Sequence, residues 1–176
     1  NNPNWLHWLD PLTHANQNFE PSLKALLKFE KISFKLKRDI ILEKLNKQIK
    51  EKKNIIKNFF YENCNGTDYV GLNTIITDNL ILSLSQYLEE TLFEDTHSKI
   101  SIIALGGYGR GELAPSSDVD LLFLISGNSN KISYSKNEIF IEKFLYFLWD
   151  LGFSVGHSTR TISQTLNYAN NDLTFL

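Results

Sequence analysis

The sequence predicts an α/β (α+β) protein, a helical amino-terminal region followed by a small mixed-sheet core. Three observations predict it. Apolar residues recur at helical spacing through the first half of the chain. The pattern then gives way to short β-branched runs. Those runs are separated by one further helical stretch, an arrangement that suits a sheet covered by helices.

In chain order, residues 20–61 carry helical periodicity through Leu23, Leu26 and Leu27, then Ile40, Ile41, Leu45 and Ile49, then Ile55, Ile56, Phe59 and Phe60. Pro21 suits a first helical turn and no proline interrupts afterwards, so two helices or one long bent helix are expected. Residues 62–68 form a turn cluster containing Gly66, which sets an expected boundary between a helical region, 1–66, and a core domain, 67–176, incomplete at its carboxy end. The next helix is expected from Thr77 or Asp78 through Phe93, with Leu80, Ile81, Leu84, Tyr87, Leu88 and Leu92 inward and Asp78 as cap or first-turn residue. Residues 99–105 read as a strand ended by Gly106-Gly107, and 119–125 as a second strand, apolar at nearly every position after Asp120. A helix over 136–151 follows, with Ile139, Phe140, Phe144, Leu145, Phe147 and Leu148 inward. A strand over 153–161 completes the order.

Composition narrows the class. The 176 residues are 42% hydrophobic and 22% charged with 9 Gly and 4 Pro, enough apolar content to offset ordering entropy, which excludes disordered and collagen-like chains. A lone Cys64 excludes a disulfide scaffold and cysteine-based metal sites, and favours a reducing compartment. No apolar run approaches the length that crosses a bilayer, and the amino end lacks a secretory signal, so a cytoplasmic protein without membrane contact is expected. The chain neither begins with Met nor contains one, and an excerpt of a longer polypeptide is expected. The net charge of −2 conceals a division: residues 24–57 hold twelve basic and four acidic residues, residues 58–176 six basic and fourteen acidic. The basic block reads as a solvated helix face. The alternative is a docking surface for an acidic partner, and no aromatic is interleaved in its stretch 38–57 for base stacking, so no nucleic-acid partner is expected.

The chemistry concentrates in residues 102–124. Gly106, Gly107, Gly109 and Gly111 follow a strand, where missing side chains let backbone approach a ligand and free N–H groups attract phosphate oxygens. Asp118-Val119-Asp120 opens the next strand. Alternation turns Asp118 and Asp120 to one side, where two carboxylates repel unless a cation lies between them. Mg²⁺ meets that need, because it binds one or two carboxylates and completes its shell with water and phosphate oxygens. A glycine turn for a triphosphate, followed about ten residues later by an Asp pair for the metal, makes a nucleotidyl-transfer site.

The Gly106-Gly107 to Asp118-Val119-Asp120 spacing resembles the signature of the DNA polymerase β-like nucleotidyltransferase superfamily. More closely, Gly-Gly-Tyr-Gly-Arg-Gly-Glu-Leu-Ala-Pro at 106–115 with Ser-Asp-Val-Asp-Leu-Leu-Phe-Leu at 117–124 resembles the amino-terminal part of the bacterial PII uridylyltransferase and uridylyl-removing enzymes. Residues 144–161 are similar to the next segment of that family. The resemblance implies transfer of UMP from UTP to a tyrosine of the PII nitrogen-regulatory protein, with release of pyrophosphate. It implies Asp118 and Asp120 as catalytic metal ligands, with Mg²⁺ as cofactor. Gly106, Gly107 and Gly109 then lie at the triphosphate, with Arg110 on phosphate or bracing the loop and Ser117 capping or positioning the Asp strand. For Arg110 a salt bridge to Glu112 is an equal alternative.

A third acid, usual in the superfamily, is not evident: the 153–161 strand offers His157, Ser158 and Arg160, while Asp172 and Asp150 are the remaining candidates. His157 could contact phosphate or act as a base, or be a structural histidine; Arg160 could bind triphosphate or form an ion pair. The uridylyl-removing activity belongs in that family to a separate His- and Asp-rich domain. None of His7, His14, His97 and His157 adjoins an aspartate, so that activity is expected to be absent from these residues. Two other readings stay open: a nucleotidyltransferase of the same superfamily with another acceptor, or a non-catalytic nucleotide-binding module.

Overall fold

A computed structural model describes residues 21–33, 36–63, 65–93, 100–126 and 131–171; His7, His14, Cys64, His97 and Asp172 lie outside them. The elements are α1 (Pro21–Leu26), α2 (Arg38–Asn63), α3 (Gly66–Leu92), β1 (Ile100–Ala104), α4 (Gly106–Gly109), β2 (Val119–Ile125), α5 (Lys131–Asp150), β3 (Val155–Thr161) and α6 (Ile162–Asn171). The three strands form one mixed sheet in the order β1-β2-β3, β1 antiparallel and β3 parallel to β2. The predicted α/β arrangement with a helical amino-terminal region is present. The first helical stretch resolves into two helices, α1 and α2, and α6 is an element that the sequence reading did not anticipate.

Helix α3 starts eleven residues earlier than expected from Thr77. Asn65 caps it, its side-chain oxygen accepting from the backbone N–H of Thr67 at 3.0 Å and of Asp68 at 3.4 Å. The residues of its first turns that looked polar, Asn73, Thr74 and Thr77, are turned into the protein. Thr74 and Thr77 are buried and donate to the carbonyls of Val70 and Asn73 at 2.9 and 3.0 Å, which satisfies their hydroxyls within the helix. Asp78 consequently lies inside the helix, neither a cap nor a first-turn residue.

Helix α5 ends in a Schellman arrangement: Gly152, at φ +83°, donates to the Trp149 carbonyl and Phe153 donates to that of Leu148. That turn delays β3 to Val155, two residues after the expected start.

The main core joins α2, α3 and α5 to one face of the sheet. Phe123 of β2 meets Phe144 of α5 edge-on at 5.8 Å, and Phe144 stacks on Phe140 at 5.9 Å. A smaller cluster of Leu27, Ile56, Leu72, Ile75 and Ile76 fastens α1 and α2 to the start of α3. Ile139, expected inward, is exposed instead, as is Ile40 of the periodic series, because adjacent helical positions differ by about 100° and Ile41 and Phe140 take the buried direction.

The lysine-rich α2 is not uniformly solvated. Lys52 is buried over the Phe29 ring, where desolvation lowers its pKa below the usual lysine value, and Lys53 and Lys57 lie over Phe153 and Tyr61. Among the described residues, no helix is long and apolar enough to cross a membrane.

Because Phe144 is fully buried between two rings, Phe144→Ala is expected to cost about 3–5 kcal/mol. Urea unfolding monitored by circular dichroism measures this, and a cost below about 1 kcal/mol would show that the ring stack does not anchor the sheet.

Candidate active site

The glycine-rich stretch is a tight helical turn. After β1 the N–H of Leu105 donates to the carbonyl of Asp120 at 2.9 Å, which ties the start of the turn to β2. The chain then coils through α4, where Gly109 donates to Leu105 and Glu112 to Gly107, at 2.8 and 2.9 Å. Gly109 is obligatory for packing, since a β-carbon there would lie 2.6 Å from the carbonyl oxygen of Ala104. Gly106 has φ +59°, and a β-carbon would stand 3.0 Å from Oδ2 of Asp120. Gly107 carries no such internal demand: its φ is not positive and a β-carbon would make only ordinary contact with the Glu112 carbonyl.

Helix α3 holds this turn at three points. The Tyr108 hydroxyl donates to Asp78 Oδ1 at 2.6 Å, the Leu113 N–H donates to Thr74 Oγ1 at 3.1 Å, and Asn73 Nδ2 donates to the Leu113 carbonyl at 2.9 Å. Burial raises the Asp78 pKa to about 6, opposed in part by the Tyr108 hydrogen bond; burial and the neighbouring Asp78 push Tyr108 well above its usual value. Tyr108 therefore remains the donor across the physiological range.

Beyond the turn, Ser116 adopts φ +65° and the Ser117 N–H donates to the Ala114 carbonyl at 3.1 Å, closing a tight bend that delivers Asp118 to the head of β2. Ser117 and Asp118 are exposed and Asp120 is partly exposed. In register Asp120 faces Gly156, Leu122 faces Ser158 and Leu124 faces Arg160; these share one side of the sheet. Leu121 and Phe123 face His157 and Thr159 on the opposite, core side.

His157 is thereby separated from Asp120. It is exposed and meets Trp149 edge-on at 6.1 Å, so strand alternation removes it as a phosphate contact or base at the Asp pair. Arg160 lies on the side of Asp120 but four residues along β3, with its guanidinium 4.6 Å from the centre of the Tyr168 ring. Arg110 pairs with Glu112, Nε to Oε2, at 3.2 Å, both side chains mostly exposed, the second of the two arrangements expected for it. Asp150 is ion-paired with Arg38 and is not part of the site.

Among the described residues, no group of three or more His, Cys, Asp or Glu side chains is placed to hold a metal ion. The two hard carboxylates at the head of β2, at least partly open to solvent and with Asp120 beside Gly106, nevertheless match a cation that takes few protein ligands and leaves positions for water and phosphate. Sequence reasoning missed Asp78, Tyr108, Asn73 and Thr74 as supports of the turn, and also Gly156. The signal for Gly156 was available, because a glycine within a strand marks a close approach.

The Asp78 shift has a definite sign. A carboxyl whose folded pKa lies above its unfolded value near 3.9 binds more protons folded, so it favours folding fully below pH 4 and loses that contribution as pH rises through about 6. Asp78→Asn is expected to flatten the stability decline between pH 4 and 6 by on the order of 2 kcal/mol relative to the parent. Melting curves of both proteins across that range measure it, and parallel profiles would show that Asp78 titrates normally.

Residues 84–169 match the family described as the nucleotidyltransferase domain. The chain is 43% identical over 108 residues, 61% of its length, to a bifunctional uridylyltransferase/uridylyl-removing enzyme of Photobacterium profundum, of which it covers 11%. It is 39% identical over 113 residues, 62% of its length, to the enzyme of that name in Novosphingobium aromaticivorans, covering 12% of it. With that of Phenylobacterium zucineum the identity is 34% over 141 residues, 78% of this chain and 15% of the relative. The chain thus spans between a tenth and a sixth of the length of these relatives. No solved structure matches it significantly. Residues 84–169, which hold the glycine turn and the Asp pair, thus match the nucleotidyltransferase domain family, within a stretch that resembles the bifunctional uridylyltransferase/uridylyl-removing enzymes.

Proposed function

We propose that this chain is the nucleotidyl-transferring part of a cytoplasmic [protein-PII] uridylyltransferase, which moves UMP from UTP to a tyrosine of the PII protein and releases pyrophosphate. The observation that carries the reading is the contact between turn and carboxylate: Gly106 approaches Asp120 so closely that a β-carbon would stand 3.0 Å from its Oδ2. A phosphate chain lying on the 106–107 backbone would then be beside the group that holds its cation. The uridylyl specificity is supported by the names of the relatives, and the PII acceptor by the motif resemblance.

In this reading Asp118 and Asp120 hold Mg²⁺, which supplies charge neutralisation at the α-phosphate when bound. Gly107, whose missing side chain the chain's own packing does not require, leaves its backbone open to the triphosphate. Gly109 keeps the turn against β1, and Ser117 sets the bend that aims Asp118. Arg110 exchanges its Glu112 partner for a phosphate oxygen. The tyrosine oxygen, its proton released to water, forms its bond to the α-phosphorus as the bond to pyrophosphate breaks.

Incubating the intact protein with Mg²⁺, a PII protein and each labelled nucleoside triphosphate tests the assignment. Label is expected from UTP alone, and Asp118→Asn or Asp120→Asn is expected to lower it about a hundredfold or more, equivalent to several kcal/mol of lost charge stabilisation. Normal labelling by either variant would remove the Asp pair from the chemistry, and labelling of another acceptor in place of PII would change the substrate.

A further inference from the structure

Asp120 occupies space that two absent side chains leave open, on two different elements. One is Gly106 of α4; the other is Gly156, its register partner in β3, where a β-carbon would overlap Oδ1 of Asp120 and lie 3.4 Å from Cγ. The two glycines differ in what they require. Gly106 is at φ +59° and would resist substitution for conformational reasons alone, whereas the φ of Gly156 is outside the left-handed region. The backbone of β3 would therefore accept alanine at 156, and the obstacle there is the Asp120 carboxylate. Glycine weakens a strand interior, and its use where neither turn nor cap is needed signals a close approach.

We propose that Gly156 is a positioning residue for Asp120: by carrying no side chain it fixes the direction in which Asp120 presents its oxygens to a divalent cation. The inference rests on the reading that Asp120 holds the cation, and it adds β3 to the site through a residue that touches neither nucleotide nor metal. A carboxylate has only two side-chain torsions, so a methyl group at 156 must turn it away from the direction it now takes. Misplacement of a reacting or binding group by about 1 Å is enough for losses of up to a hundredfold.

The test is a cycle of Gly156→Ala, Asp120→Ala and the double variant in the intact protein, with Mn²⁺ alone as the probe and free Mn²⁺ read by electron paramagnetic resonance. Gly156→Ala is expected to weaken Mn²⁺ binding about tenfold or more, and to weaken it no further in the Asp120→Ala background. Unchanged affinity in Gly156→Ala, or the same loss in both backgrounds, overturns the proposal. If Gly156→Ala fails to fold, the double variant decides: recovery of its circular dichroism and melting transition supports the seat, because the overlapping carboxylate is gone, and continued failure overturns it. The Mn²⁺ cycle is independent of catalysis. A coupled loss of affinity in a protein that transfers no UMP supports the seat while overturning the transferase reading, and UMP transfer with unchanged Mn²⁺ affinity overturns the seat alone.

Discussion

The buried hydrogen bond from Tyr108 to Asp78 is the constraint on which the site depends. A one-turn helix such as α4 has too few internal hydrogen bonds to hold its own position, and four glycines in six residues make it costlier still to order. Helix α3, twenty-seven residues long and packed against α2 and α5, supplies the missing rigidity through Asp78, Thr74 and Asn73. A carboxyl is a costly group to bury, and its presence under the turn is intelligible only with Tyr108 aimed at it. The bond thus ties a glycine-rich segment to a long helix through one side chain, Tyr108, while Gly106 and Gly107 carry none.

This arrangement explains which parts of the molecule were legible in the sequence. The strands were, because Ile100–Ala104 and Val119–Ile125 carry the β-branched and apolar runs that burial on a sheet demands, and so was α5 with its aromatic spacing. The start of α3 was not. Its early turns do bury an apolar repeat, Leu72, Ile75 and Ile76, but polar residues interrupt it in the sequence: Thr74 and Thr77 are buried beside it, and Asn73 and Asp78 serve as ties to the glycine turn. The Asp pair and the glycines were visible as a local motif; the supports were not, because each lies thirty or more residues from its partner in the chain.

Strand alternation sorts the remaining candidates. The 156–160 segment presents Gly156, Ser158 and Arg160 to the side of Asp120, and His157 and Thr159 to the core side. A sequence reading that weighs His157 by its chemistry alone misses this, since the register of β3 against β2 is set by the turn at Gly152 and by Val119 donating to the Ser154 carbonyl at 2.9 Å. A shift of one residue would have exchanged the two sets. The polarity of β3 is thus divided by geometry: the glycine faces the carboxylate, and the histidine packs on Trp149 at the margin of the core.

The glycines show the same economy of position. Gly109 is required by the backbone of Ala104, Gly106 by its left-handed φ and by Asp120, and Gly156 by Asp120 alone. Each weakens the element it belongs to, and in each case the gain is a short distance between two backbone segments or between backbone and carboxylate. Gly107 stands apart, since no neighbour in the chain demands its lack of a side chain. Its cost to α4 is offset by no contact among the described residues, and the proposed triphosphate seat would account for it. With Asp118 and Asp120 at the head of β2, the proposed nucleotide would bring its anionic part next to the two acids, an arrangement that is stable only when a cation is carried in with it.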